Sequence, residues 1–195
     1  SLLKRADMTR YELFLRETRT YEIIEDVKNF RSEIGVLFLN SYNRDVLTKM
    51  FDDNRLTYTS LFKARPHIFV SKSNPLAKHE VVSLEDLEDF PYLSYDQGIH
   101  NSFYYSEEIL SQIPHKKSIV VSDRATLFNL LIGLDGYTIA TGILNSNLNG
   151  DNIVSIPLDI DDEIDIVYLK HEKATLSKMG EKFLDNLVKE VTFDN

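Results

Sequence analysis

The sequence predicts an α/β fold from three stretches near its start. Residues 11–16 form an alternating run, residues 21–30 carry apolar side chains at helical spacing, and residues 34–39 are apolar throughout. The hydrophobic repeat therefore changes from that of a strand to that of a helix, and then to a continuous buried run. Strand, helix and buried strand in this order indicate a βαβ unit, which belongs to a parallel sheet.

The junction between the first strand and the helix is a candidate ligand site. Thr20 stands where the N-cap of the helix is expected, and its hydroxyl can accept a hydrogen bond from a backbone N–H of the first turn. Open α/β sheets bind small anions where strand ends face helix N-termini. Thr18 and Arg19 therefore join Thr20 as candidates, with Arg19 as a bidentate donor. The alternative, that this segment only caps the helix and turns the chain, stays open.

The rest of the chain alternates between helical and strand patterns. Residues 46–51 predict a short amphipathic helix, and residues 56–70 are rich in strand formers but interrupted by Pro66. Ser83 and Asp86 have the spacing of a capping box. Ser122 and Asp123 can cap the following helix. We predict further strands over 92–95, 117–121, 137–140, 153–156 and 164–170, and helices over 102–112, 125–134 and 176–191.

Composition excludes several classes of function. The chain has 195 residues, a formal net charge of −9 and no cysteine. An acidic chain repels nucleic acid, so direct DNA binding is not expected. Disulfides and thiolate chemistry are excluded. No apolar run reaches the roughly 20 residues that a spanning helix needs, and the N-terminus does not resemble a secretory signal. The expectation is a cytoplasmic domain that does not bind membranes.

The sequence shows no recognisable metal, cofactor or catalytic motif. The histidines are scattered without metal-ligand spacing, and all except His100 are interpreted as surface or strand-end residues. The acidic run over 159–165 fails as an EF-hand, because Ile164 and Lys170 stand where glycine and glutamate are required. We interpret this run as a solvated segment between two strands, and we expect no cofactor.

A polar loop over residues 96–102 follows a predicted strand and precedes a predicted helix. Such a loop can contact a ligand at the carboxyl edge of the sheet. Three aromatic residues come next at 103–105, and they either stack on a ligand ring or cover the core. We favour the core interpretation, because aromatic side chains bury a large area wherever they lie.

Several segments together resemble one known family. They are ExxT at 17–20 followed by an apolar helix, IGV at 34–36, IFVS at 68–71, NPLA at 74–77 and LLIGLDGYTIA at 130–140. In this order and spacing they resemble the effector-binding domain of LysR-type transcriptional regulators, whose architecture is similar to that of type 2 periplasmic solute-binding proteins. The resemblance covers most of the chain.

The resemblance implies two Rossmann-like subdomains joined by two crossover strands. Subdomain I would comprise residues 1–65 and 163–195, and subdomain II residues 66–162. Residues 1–8 would end a helix already under way. The first strand and the DNA-binding domain of the family would lie upstream, outside this sequence, so that DNA is contacted only through that domain. The family also implies a side-by-side homodimer, or a tetramer of the full-length protein, with helices 21–30 and 125–134 as the candidate contact faces.

The implied function is sensing of a small metabolite, such as an amino acid or organic acid, between the subdomains. A transport-type solute-binding protein is the main alternative, and an enzyme on the same fold is the third, although the sequence supplies no convergent catalytic pair. We therefore expect no enzymatic activity. The ligand-binding residues expected from the strand ends are Thr18, Arg19, Thr20, Asp96, Gln97, Gly98, His100, Asn101, Ser102, Thr141 and Gly142.

Overall fold

The computed structural model describes residues 12–100, 102–144 and 151–193. Their elements follow one another as α1 (Thr20–Lys28), β1 (Gly35–Leu39), α2 (Arg44–Asp53), β2 (Leu56–Ala64), β3 (His67–Ser71), β4 (Tyr92–Tyr95), β5 (Ser118–Val121), α3 (Arg124–Gly133), β6 (Tyr137–Ala140), β7 (Ile153–Pro157), β8 (Ile164–His171) and α4 (Lys178–Phe193). No helix in these residues is long and apolar enough to cross a membrane.

The strands form two separate sheets. The first sheet has the order β1-β8-β2, and both pairings are antiparallel. The helices α1 and α2 cover it, and the packed side chains include Ile24, Leu47, Phe51 and Leu169. Leu47 and Phe51 are one helical turn apart and both fully buried, which is why the pattern over 46–51 correctly predicts α2.

The second sheet is mixed and has the order β5-β4-β6-β3-β7. Strand β4 runs parallel to β5 and β6, whereas β3 is antiparallel to β6 and β7. Alternation along β3 sends Phe69 into the core beneath α3, and Ile68 and Val70 into the core on the opposite face. Because β4, β5 and β6 run parallel, their carboxyl ends lie at one edge of this sheet.

The chain passes between the sheets twice. It leaves the first sheet after β2 through residues 65–66, and it returns through residues 158–163 before β8. This arrangement is the α/β architecture that the sequence predicts. The subdomain boundaries at 65 and 163 stay a prediction.

The predicted strand over residues 11–16 is wrong in the residues described. Residues 12–16 form no strand, and Phe14 and Leu15 are 85% and 79% exposed. With no strand in residues 12–19, the expected parallel βαβ unit does not form in the described part of this region. The neighbour of β1 is β8, which runs antiparallel to it. Parallel pairing occurs instead in the second sheet.

The predicted helix over residues 102–112 is also wrong. A single 3₁₀ turn covers Phe103–Tyr105, and bends and turns follow. Glu108 turns inward and accepts a hydrogen bond from the backbone N–H of Tyr95 at 2.7 Å, while Leu110 has a positive φ of 61°. A side chain that satisfies the end of β4, and a left-handed residue two positions later, are incompatible with a continuous helix.

The predicted caps have mixed outcomes. Ser83 and Asp86 form the reciprocal capping box, although only a 3₁₀ turn follows. Asp123 caps α3, since its Oδ1 accepts from the Thr126 N–H at 2.9 Å. Thr20 is not an N-cap: it is the first residue of α1, and Arg19 holds the cap position without a side-chain cap bond.

Close packing of α1 on β1 makes Gly35 a sensitive position. A Cβ at Gly35 would lie 2.6 Å from Cγ2 of Ile23 and 3.0 Å from Cγ2 of Val27, and both are stiff β-branched side chains. We expect Gly35→Ala to destabilise the fold by about 1–3 kcal/mol through overpacking. Gly133→Ala is the matched control, because nothing lies within 4 Å of its added methyl group. Urea unfolding of both variants measures the difference, and equal stabilities would contradict the packing argument.

Candidate functional site

A cavity of about 300 Å³ lies between the segment that precedes α1 and the carboxyl ends of β4 and β5. Its lining comes from chain segments that are far apart in sequence: the start of α1, which packs on the first sheet, and the strand ends and loops of the second sheet. The lining residues are Glu17, Thr18, Arg19, Glu22, Tyr95, Asp96, Glu107, Ser122, Asp123 and Arg124. The loops after the parallel strands and the start of α1 therefore converge, as expected for a site at the edge of an open sheet.

The first contact across the cavity joins Arg19 to Asp96. The Arg19 Nε donates to the Asp96 backbone carbonyl at 2.9 Å, and Nη2 donates to the Asp96 Oδ2 at 2.7 Å. The Asp96 Oδ1 accepts from the Gly98 N–H at 2.9 Å, which fixes the loop. Gly98 has a positive φ of 63°, and a Cβ there would lie 2.6 Å from the Arg19 Nη1. Glycine is therefore required both for the turn and for the close approach of the guanidinium group.

The second contact joins Arg124 to Glu17. The Arg124 Nε and Nη2 both donate to the Glu17 Oε1, at 2.9 and 2.6 Å. Arg124 is the first residue of α3 and directly follows the capping Asp123. The cap therefore fixes the backbone position from which the Arg124 side chain extends. A cation from the second sheet thus pairs with a carboxylate from the segment before α1, which reverses the polarity of the first contact.

Aromatic contacts join the same two parts of the molecule beside this cavity. Tyr21 stacks on His100 with ring centroids 3.5 Å apart, and Tyr42 stacks on Tyr104 at 4.8 Å. Tyr105 meets Tyr21 edge to face at 5.6 Å. The aromatic run at 103–105 therefore packs largely against the first-sheet part of the chain, and Phe103 is exposed. Our core interpretation holds for Tyr105, which packs against the core of the first sheet, and is wrong for the exposed Phe103.

Two adjacent carboxyl groups lie under the end of β4. Glu108 is 3% exposed, and burial raises its pKa to about 8. Burial also raises the pKa of Glu107, which lines the cavity. The Gln97 Nε2 reaches the Glu107 Oε1 at 3.5 Å, whereas the Gln97 Oε1 is buried and has no hydrogen-bond partner in the described structure. The surroundings of Gln97 and Glu107 therefore contain more hydrogen-bond acceptors than donors.

The structure brings together most, but not all, of the residues predicted from strand ends. Thr18, Arg19 and Asp96 line the cavity. An adjoining cavity of about 530 Å³ shares Arg19, and Gln97, Gly98 and His100 line it. These predicted positions therefore line two cavities that share Arg19 and Glu22.

The remaining predicted residues that the structure describes line neither of these two cavities. Thr20 is 6% exposed within α1, and Ser102 accepts from the Tyr104 N–H as the cap of its 3₁₀ turn. Asn101 lies outside the described residues. Thr141 and Gly142 line neither cavity; a Cβ at Gly142 would lie 2.5 Å from the His67 ring.

The sequence-based prediction missed seven of the ten residues that line the cavity. Glu17 belongs to the ExxT segment and Asp123 to the predicted helix cap, but neither is among the predicted ligand-binding residues. The sequence feature that could have identified the second-sheet residues is their position. Residues 122–124 follow the carboxyl end of a strand, as Asp96 does. Glu107 gave no signal, because the segment containing it was assigned to a helix.

The acidic run over 159–165 is largely engaged with neighbouring side chains. Asp162 accepts from the Asn40 Nδ2 at 3.2 Å, and Glu163 pairs with Lys63 at 2.6 Å. Asp165 differs from our solvated interpretation, because it is buried and accepts from Ser60 at 2.5 Å. Within the described ranges, no group of three or more histidine or acidic side chains is arranged to hold a metal ion.

Comparison with known proteins places this architecture in a recognised class. The fold matches the effector-binding domain of QuiR in complex with shikimate, with a TM-score of 0.58 and 17% identity over 90% of this chain and 79% of that chain. It also matches the BenM effector-binding domain with its effector benzoate, with a TM-score of 0.59 and 18% identity over 92% of this chain and 78% of that one. These domains have the type 2 periplasmic-binding-protein-like fold, which this chain shares.

The family assignment follows from the sequence. Residues 5–192 match the LysR substrate binding domain, and the chain belongs to that family. HinK, a LysR family transcriptional regulator from Pseudomonas aeruginosa, matches with a TM-score of 0.61 and 16% identity over 90% of this chain, which spans 59% of HinK. The comparison with curated protein sequences gives no match.

The buried Glu108 predicts a dependence of stability on pH. Its pKa is about 8 in the folded protein against an ordinary value of 4.5, so between these values the unfolded chain loses its proton first. Its contribution to stability therefore falls as pH rises through this range, by at most about 1.4 kcal/mol per pH unit, and levels off above the folded pKa. Glu108→Gln keeps an acceptor for the Tyr95 N–H and cannot ionise. Urea unfolding should show the stability of the variant increasing relative to that of the native chain as pH rises from about 4.5 to about 8. A stability difference that does not change with pH would contradict the raised pKa of Glu108.

Proposed function

We propose that this chain senses a small-molecule effector in the cavity beside Arg19 and Arg124, as the ligand-binding part of a LysR-type transcriptional regulator. The observation that carries the proposal is the convergence of two arginine–carboxylate pairs, one of each polarity, from both sheets onto one cavity. A molecule that enters this cavity contacts groups from both sheets at once. Its binding therefore favours one relative placement of the sheets over another.

The related structures support a small organic effector. The QuiR and BenM effector-binding domains were obtained with shikimate and benzoate, respectively. The combined region beside Arg19 here, with cavities of about 300 and 530 Å³, is large enough for molecules of that size. Membership of a regulatory ligand-binding family favours sensing over transport or catalysis. We propose that the domain binds its effector without transforming it.

Regulation would use DNA contacts outside this chain. Acidic residues outnumber basic residues 31 to 22, which opposes phosphate binding by this domain itself. We propose that a separate DNA-binding domain makes those contacts in the cytoplasm. The subdomain boundaries at residues 65 and 163 are part of the same proposal, and the membership of β2 and β8 in the first sheet and of β3 and β7 in the second supports them.

We predict that effector affinity depends on the two cross-cavity pairs. A thermal-shift screen of amino acids, amines and carboxylates identifies a binder, since a ligand at a hundred times its Kd adds about 2.7 kcal/mol of stability. Calorimetric titration should then show affinity changed about tenfold or more in Asp96→Asn and in Arg124→Ala, because each substitution removes one charged group from the lining.

The control is Lys49→Ala, which breaks the exposed Lys49–Asp53 pair on α2. We expect it to leave affinity unchanged. Binders whose affinity is equal in all three variants and the native domain would place the effector site elsewhere.

We also propose that the domain forms a side-by-side homodimer through the exposed faces of α1 and α3. Ile132 and Leu134, at the end of α3, are 46% and 48% exposed. Apolar side chains exposed in this way favour a protein contact.

Sedimentation velocity at micromolar concentration should detect a dimer that Ile132→Asp dissociates. Val46→Asp is the matched control, because Val46 is 37% exposed on α2, outside the proposed contact. A monomeric native domain, or a dimer disrupted only by Val46→Asp, would contradict this interface.

A further inference from the structure

The cavity lining is unequal in charge. The described lining has five carboxylates and two guanidinium groups: Glu17, Glu22, Asp96, Glu107 and Asp123 against Arg19 and Arg124. An anionic effector therefore meets more charges of its own sign than of the opposite sign. The potential of such a cavity favours a cation.

Both cations of the lining are already paired. Arg19 donates to Asp96 and lies 3.4 Å from Glu22, and Arg124 donates twice to Glu17. A carboxylate ligand would have to break one of these pairs to obtain a partner, and would leave a protein carboxylate unpaired. The ligands of QuiR and BenM are carboxylates, so this chain has a lining poorly suited to the same chemistry.

One carboxyl group of the lining has no strong partner. Asp123 is occupied by the N-terminus of α3, through the Thr126 N–H at 2.9 Å and hydroxyl at 2.8 Å. Glu107 differs, because its contact with the Gln97 Nε2 is long, at 3.5 Å. Burial raises the pKa of Glu107, and the Gln97 contact and the charges of Arg124 and Arg19 oppose this shift without cancelling it.

An unpartnered acceptor lies beside Glu107. Gln97 is only 6% exposed, and its Oε1 has no hydrogen-bond partner among the described residues. Reversing the amide would not help, since its oxygen would then face the Tyr95 carbonyl and the Glu107 carboxylate, which are both acceptors. A buried amide oxygen without a donor therefore lies beside a half-buried carboxyl group whose described side-chain donor is 3.5 Å away.

We infer that the effector carries a protonated primary amine, and that this ammonium group binds Glu107, with Gln97 as a second acceptor. The inference rests on the proposed function and specifies the ligand class for that site. An ammonium group offers three N–H donors and a positive charge, and it forms charge-assisted hydrogen bonds with a carboxylate. Glu107 is thus the residue that selects amines over plain carboxylates. Free amines and amino acids share this chemistry.

The test compares three probes of matched size, namely n-butylammonium chloride, L-2-aminobutyrate and sodium butyrate. Each is titrated into the ¹⁵N-labelled domain at millimolar concentration, at constant ionic strength. The readouts are the backbone amide signals of Asp96, Gly98 and Asp123 and the side-chain amide of Gln97. We expect saturable shifts with n-butylammonium and none with butyrate. A response to aminobutyrate as well assigns the effector to the amino acids, and a response to n-butylammonium alone assigns it to simple amines.

Glu107→Gln should weaken n-butylammonium binding about tenfold or more, because it removes the charged acceptor and keeps the shape. Glu163→Gln is the control: Glu163 is exposed, pairs with Lys63 and lies outside the cavity, so binding should be unchanged.

Three outcomes would overturn the inference, and they differ in what they imply for the cavity. Butyrate binding at these signals as tightly as n-butylammonium, or n-butylammonium binding unaffected by Glu107→Gln, refutes the amine and leaves the effector cavity standing. If no probe shifts any of these signals, both the amine and the proposed cavity are refuted.

Discussion

The arrangement of the site depends on two ion pairs that cross between the sheets. Their side chains are partly open to water: Arg19 and Asp96 are 38% and 48% exposed, and Arg124 and Glu17 are 59% and 64% exposed. Exposed pairs of this kind contribute about 0.2–1 kcal/mol each. The ion pairs therefore contribute only small energies to the placement of the sheets at the cavity. A shared apolar cluster around Ile164 and the aromatic stacking of Tyr21 and Tyr42 also join the two sheets.

Both arginines lie at helix N-termini, where a positive charge is electrostatically unfavourable. Arg19 is the residue before α1, and Arg124 is the first residue of α3. The helix dipole disfavours a cation at these positions and favours an anion. Each guanidinium group therefore depends on a carboxylate from the opposite side of the cavity. The aromatic stacking of Tyr21 on His100 keeps the two sides close enough for those pairs to form.

The predictable part of this structure is the part determined by local burial and by short-range hydrogen bonds. Leu47 and Phe51 define α2, and Asp123 caps α3, because both features act within one or two helical turns. Residues 11–16 have a strand pattern, but a strand also needs a neighbour, and no local signal shows whether one is present. Glu107 was missed for the same reason: it reaches the cavity because Glu108 turns inward to a backbone N–H thirteen residues earlier. Thr141 correctly follows a strand end, yet it lines neither cavity.

If an effector binds in the cavity as proposed, the weakness of the cross-cavity pairs lets it act on the whole domain. Two pairs of about 1 kcal/mol each amount to a shift of roughly thirtyfold in a two-state equilibrium. A ligand needs only that much differential affinity to offset them, and a single hydrogen bond to a charged group supplies about 1.5–3 kcal/mol. The sheets are also connected by the aromatic contacts of Tyr21 and Tyr42 and by a shared apolar cluster around Ile164. The chain passes between them through residues 65–66 and 158–163, two short segments that can absorb a change in backbone angle. Under the proposed function, a ligand in the cavity acts on the relative placement of the two sheets, since deforming the interior of either sheet would cost more.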